Sequence, residues 1–197
     1  MAAISIMNVQ VKNEMKIYEL RVDTGKKDDR LQYQLVTKDA KFLNDFEESM
    51  DGIEKVKDKL SDLKITIIKG KKEADFSILW NGTCSYLVNE RSKIILEPLA
   101  ADAVEFVPIG GNLYLIHVLC AADALDTENI VANIYDNMIG YIRKFAFKPE
   151  ALPDSEIFKV ICQTRIYSSA IFVTDRLKKK VEENHLTGFN FKEIGDF

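Results

Sequence analysis

An α+β fold, a mostly antiparallel or mixed sheet with helices packed against it, is what the sequence predicts, and three observations carry the prediction. Hairpin signatures outnumber strand–helix–strand crossovers. Short runs rich in Ile, Val, Phe and Tyr recur along the whole chain. Helical three- and four-residue periodicity is confined to a few stretches. With 197 residues, 47% of them apolar, the chain can bury a substantial core, as a single domain or two packed lobes over residues 15–197. Residues 1–14 read as an added leader.

Met15 to Val22 reads as the first strand and Leu31 to Val36 as the second, with the polar turn Asp23-Thr-Gly-Lys-Lys-Asp-Asp29 between them. From Ala40 to Leu63, Phe42, Leu43, Phe46, Met50, Ile53, Val56, Leu60 and Leu63 recur at helical spacing, which predicts an amphipathic helix with a break near Asp51-Gly52. Lys64 to Ile68 is a β-branched strand. Asp75 to Trp80 and Thr83 to Tyr86 flank Asn81-Gly82, a pair suited to positive φ, and so predict a hairpin. Asn89 is placed to cap a short helix that ends near Pro98.

Ala103 to Ile109 and Asn112 to Cys120 flank Gly110-Gly111, a second hairpin, whose apolar density marks buried strands. Met138 to Phe147 reads as a strand, Pro149 to Pro153 as a turn, and Glu156 to Ile161 and Ser169 to Val173 as short strands. Thr174 or Asp175 then caps a helix with Leu177 and Val181 inward and Lys178, Lys179 and Lys180 toward water. Gly188 suits a left-handed turn before a final strand from Phe189 to Ile194.

Catalytic signatures are absent at each place they would be sought. Gly70-Lys71-Lys72 lacks the upstream glycine and following hydroxyl of a phosphate-binding loop, and neither G-x-G-x-x-G nor G-x-S-x-G occurs. Two histidines, His117 and His185, are too few for a multi-histidine metal site, and His117 sits within an apolar strand as a core imidazole. Cys84, Cys120 and Cys162 are odd in number and widely spaced, which favours free thiols in a reducing compartment over a disulfide framework. A cysteine–histidine hydrolase would have to pair His117 with Cys84 or Cys162, because His117 and Cys120 point to opposite faces of one strand. The acids Asp123, Asp126 and Glu128 lack the nearby lysine that a metal-dependent nuclease would use. No enzyme, metal or cofactor is therefore expected.

Charge is uneven along the chain. Ile94 to Ile142 contains no Lys or Arg and seven carboxylates, Glu97, Asp102, Glu105, Asp123, Asp126, Glu128 and Asp136, so the formal charge of −4 is −7 here and +3 elsewhere. Such a balance argues against nucleic-acid binding and fits a basic protein partner. No apolar run approaches a membrane span and the first residues lack a signal-peptide pattern, which predicts a cytoplasmic protein.

The run Asp75-Phe76, then Leu87-Val-Asn-Glu-Arg-Ser-Lys-Ile-Ile-Leu-Glu-Pro-Leu99, Val104-Glu-Phe-Val-Pro-Ile109 and Asp123-Ala-Leu-Asp126 resembles the central part of one class of bacterial polymorphic-toxin immunity proteins, the myxobacterial-type "immunity eleven" family. The resemblance continues through Ile157-Phe-Lys-Val160, Ile171-Phe-Val-Thr-Asp-Arg-Leu-Lys178 and Leu186-Thr-Gly-Phe-Asn-Phe191, and Met15-Lys-Ile-Tyr18 resembles the usual start of such proteins. The leader before Met15 is the departure. What the resemblance implies is a non-enzymatic protein, encoded beside its toxin, that binds and blocks the toxin in the cytoplasm of the producing cell. It transfers no catalytic residue and does not identify the toxin. Were that toxin a nuclease with a basic cleft, Glu97, Asp102, Asp123, Asp126, Glu128 and Asp136 would be the expected partner-binding residues, mimicking phosphate. An adaptor or oligomerisation module, and less readily a Cys/His hydrolase, are the alternatives.

Overall fold

A computed structural model of the chain describes residues 16–37, 39–60, 63–82 and 84–196; Met15 and the leader expected at 1–14 lie outside the described residues. The described residues open with β1 (Lys16–Val22), β2 (Gln32–Leu35) and α1 (Ala40–Asp51). The Asp39 carboxylate caps α1 by accepting from the N–H groups of Lys41 and Phe42, donors that the first turn leaves open. α1 stops at Gly52, where the break was expected, but the helix does not resume after it, and residues 53–60 are irregular, with turns and bends. Val56, Leu60 and Leu63 are nevertheless buried, so a loop pinned to the helix's own core imitates its periodicity.

β3 (Ile65–Lys69), β4 (Phe76–Ile78), β5 (Tyr86–Asn89) and α2 (Glu90–Ala100) follow. β4 and β5 pair as expected, Phe76 opposite Val88, but the connection spans residues 79–85 rather than a two-residue Asn81-Gly82 turn. Asn81 is buried and its Oδ1 accepts from the Leu35 N–H at 2.6 Å, which ties the loop to β2. Asn89 caps α2 by accepting from the Ser92 N–H. The helix runs through Pro98, two residues past the expected stop. Ile94 and Pro98 both face solvent, where water can satisfy the carbonyl that residue 98 cannot reach.

β6 (Val104–Pro108) and β7 (Leu113–Val118) form the second hairpin, with Val104 opposite Val118. Gly110 and Gly111 have φ of 85° and 61° and open space around them, so backbone conformation selects glycine here, not crowding. Next are β8 (Ala121–Ala122), β9 (Val131–Tyr135), which was not expected, and β10 (Met138–Lys144), which ends before Phe145 and Phe147 turn into the core. β11 (Ile157–Cys162), β12 (Arg165–Thr174), α3 (Asp175–Glu183) and β13 (Phe189–Asp196) complete the order. Thr174 caps α3, whose Leu177 and Val181 are buried.

Two main sheets result. One runs β13-β1-β12-β11-β8, antiparallel except for the parallel β11–β8 pair, and the other runs β4-β5-β7-β6, all antiparallel. Ribbons β2–β3 and β9–β10 stand apart. Side-chain alternation feeds three cores. On β5, Tyr86 and Val88 join Tyr18, Leu20, Ile171 and Val173 in a central core between the sheets, whereas Leu87 faces the opposite way, toward Phe46 and Met50 of α1. On β12, Phe172 turns from the central core to a third cluster with Phe145, Phe147, Phe158 and Ile142. The helices therefore do not share one side: α1 covers one face of the four-stranded sheet, and α2 and α3 close the central core on the other.

Candidate protein-binding surfaces and the interior polar clamp

The segment that ends α1 is held by three side chains from distant strands. Lys159 on β11 is 3% exposed, and its Nζ donates to the carbonyls of Met50 (2.6 Å), Gly52 (2.8 Å) and Asp51 (3.4 Å). Three donors meet three helix-terminal carbonyls, where the helix dipole also favours a cation. Burial pushes this ammonium down to about 8, partly offset by the nearby Asp51 carboxylate. His117 on β7, fully buried, places Nε2 2.8 Å from the Glu54 carbonyl. Glu105 on β6 accepts from the N–H groups of Val56 (2.7 Å) and Lys57 (3.1 Å). Residues 50–57 are thereby fastened to both main sheets.

The same geometry bears on the hydrolase alternative. Facing a carbonyl, His117 must donate from Nε2, which leaves Nδ1 as the bare nitrogen; that atom is buried and has no hydrogen-bond partner among the described residues. Burial and the charge on Lys159 lower its basicity. All three cysteines are free, and burial raises the thiol pKa of Cys84, Cys120 and Cys162, the reverse of what a thiolate nucleophile needs. The one buried acid among the described residues, Asp75, is also occupied: it accepts from the Thr187 N–H (2.8 Å) and hydroxyl (2.9 Å) and from Asn89 Nδ2 (3.0 Å), with Arg91 alongside. Those hydrogen bonds and Arg91 outweigh its burial and hold the carboxyl below the usual range. Among the described residues no group of three His, Cys, Asp or Glu side chains could hold a metal ion, and no helix is long and apolar enough to cross a membrane.

The six carboxylates expected at a partner surface occupy three places. Glu97, on α2, and Asp102, in the 3-10 turn Ala101–Ala103, line a cleft of about 460 Å³ together with Lys55, Lys57 and Lys93; Lys93 reaches Glu97 at 3.4 Å. Asp123 and Glu128 are exposed after β8. Asp126 between them is turned into its own loop, accepting from the Glu128 N–H (3.2 Å) and Asn129 Nδ2 (2.7 Å), which lowers its pKa. Asp136 sits at the tip of the β9–β10 ribbon with φ 47°. Glu105, the seventh acid of the stretch, is half-buried: it lines the same cleft and is engaged in the clamp.

That ribbon is the surface that sequence patterning missed. Val131, Ile134, Tyr135, Met138 and Tyr141 on it are all exposed. Strict alternation would have revealed β9, but Val131-Ala-Asn-Ile-Tyr135 is short and does not alternate, since Ile134 and Tyr135 are adjacent.

A mixed-sheet scaffold whose buried ionisable groups fasten its own backbone, and whose outer surface is rich in exposed carboxylates and apolar side chains, has the make-up of a binding protein. Family comparison agrees. The model of the immunity protein family Imm11 matches residues 16–196, nearly the whole chain, and the chain belongs to that family. Comparison with curated proteins gives no match.

Proposed function

We propose that this chain is the immunity partner of a bacterial toxin: it binds its cognate toxin domain stoichiometrically in the cytoplasm of the cell that makes both, and blocks it by occlusion without chemistry of its own. The observation that carries this reading is the family match from residue 16 to residue 196, which spans every described element of the fold. The interior supports it, because Lys159, His117, Glu105 and Asp75 are each engaged in fastening backbone. A toxin with a basic cleft, of the nuclease type, is the partner that the carboxylates Glu97, Asp102, Asp123, Asp126, Glu128 and Asp136 favour.

The test is co-expression with the C-terminal domain encoded by the adjacent open reading frame. Rescue of growth together with a co-purifying complex is expected; rescue without a complex would contradict binding as the mechanism. Within that complex, Asp123→Asn with Glu128→Gln, both with exposed side chains, the Asp126 loop bond using only the Glu128 backbone N–H, should slow association several-fold and flatten its salt dependence. Unchanged association kinetics in the folded double variant would remove these two acids from the interface.

A further inference from the structure

The geometry points to the outer edge of β9 as a self-pairing interface, through which two copies of this chain join their β9–β10 ribbons into one four-stranded sheet. Tyr135 and Met138 pair across the two-residue turn Asp136-Asn137, whose φ values of 47° and 64° match the tight turn that continues strand twist. Tyr135 therefore directs its backbone N–H and C=O at β10. By alternation Ala132 and Ile134 direct theirs outward. The N–H of Ile139 on β10 confirms the phase, since it faces away from β9 and donates to Gln163 Oε1 at 2.8 Å. No strand among the described residues pairs with the outer side of β9.

Unlike the comparable edge strand β3, which is bracketed by Lys64 and Lys69, β9 carries no charge and no proline to discourage pairing. A second copy is the occupant that the pattern fits. An antiparallel arrangement about Asn133 sets Ala132 opposite the partner's Ile134 and Ile134 opposite the partner's Ala132, so the outward groups of both strands fall into hydrogen-bonding register. Tyr135 then faces the partner's Val131. In the ribbon Val131 lies opposite Lys144, so the acidic tip of one copy, Asp136, lies two strand spacings, about 10 Å, from the basic end, Arg143 and Lys144, of the other. Charge is thus complementary twice over under the same two-fold axis. Val131, Ile134 and Tyr135, between 45% and 67% exposed in the single chain, lie along the joined edge. Two five-residue strands make a small interface, of the weak and transient size class.

Light scattering of the full chain over a concentration series tests this. The wild type should pass from monomer to a species of twice the 22.5 kDa chain mass. Asn133→Lys and Asn133→Asp each place like charges opposite one another at the two-fold axis and should each weaken the dimer about tenfold or more. Mixing the two variants should restore it, because the central pair is then Lys opposite Asp. Hydrogen exchange on the wild type supplies a readout that needs no variant: the Ala132 and Ile134 amides should gain protection as concentration rises. A wild type that stays monomeric to about 500 μM, a dimer that both variants retain, or protection of these amides only on adding toxin would each overturn the proposal.

Discussion

Lys159 reaches the end of α1 from a strand about a hundred residues further along the chain, and its three carbonyl acceptors would be left unpaired by truncation. Lys159→Ala should destabilise the fold by about 2–4 kcal/mol through those carbonyls and the cavity left behind, measured by urea unfolding. The group also sets a pH dependence. With a folded pKa of about 8 against an ordinary 10.5, folded and unfolded chains are equally protonated below 8, whereas between 8 and 10.5 the unfolded chain holds the proton that the folded chain has released. Stability contributed by Lys159 therefore rises with pH across that window, by up to about 3 kcal/mol, and the difference between wild type and Lys159→Met should follow this course. A difference that is flat from pH 7 to 10 would mean that the ammonium is not destabilised by burial. None of this was legible in Ile157-Phe-Lys-Val160, where alternation sends Lys159 to the inner face yet nothing local names its acceptors.

Elements whose signals are local read directly from sequence. Asn89 and Thr174 each sit one residue before their helices and accept from the N–H three residues on, so their short polar side chains were sufficient signal. Thr174→Ala should cost about 1–2 kcal/mol, since the hydroxyl also donates to the Glu156 carboxylate. Gly188 combines φ 90° with a position where a Cβ would meet the Phe76 carbonyl at 2.0 Å, beside the hydrogen bond from the Phe76 N–H to the Thr187 carbonyl. Gly188→Ala should therefore destabilise by at least about 2 kcal/mol, by thermal unfolding, because both backbone strain and a clash with main chain oppose it. Signals that depend on tertiary contact misled. Val56 and Leu60 continued the helical spacing of α1, but Glu105 and His117 take up backbone groups of residues 54–57 that a helix would have used internally.

Over the whole molecule, a lysine-free stretch of chain is not a lysine-free surface. Lys55, Lys57 and Lys93 come to the cleft that Glu97 and Asp102 line, so those two acids present a mixed field, while Asp123 and Glu128 keep their exposure. The α+β class was legible because hairpins and alternation report it locally; the strand order, which sets β1 between β12 and β13, depends on pairings between chain ends that leave no local trace. Membership of the immunity protein family makes toxin binding the central claim. Its most direct test is titration of the cognate toxin domain's activity with this purified chain. Occlusion predicts inhibition that grows linearly and is complete at one chain per toxin domain; complete inhibition at a small fraction of that ratio would show turnover, and would contradict the account.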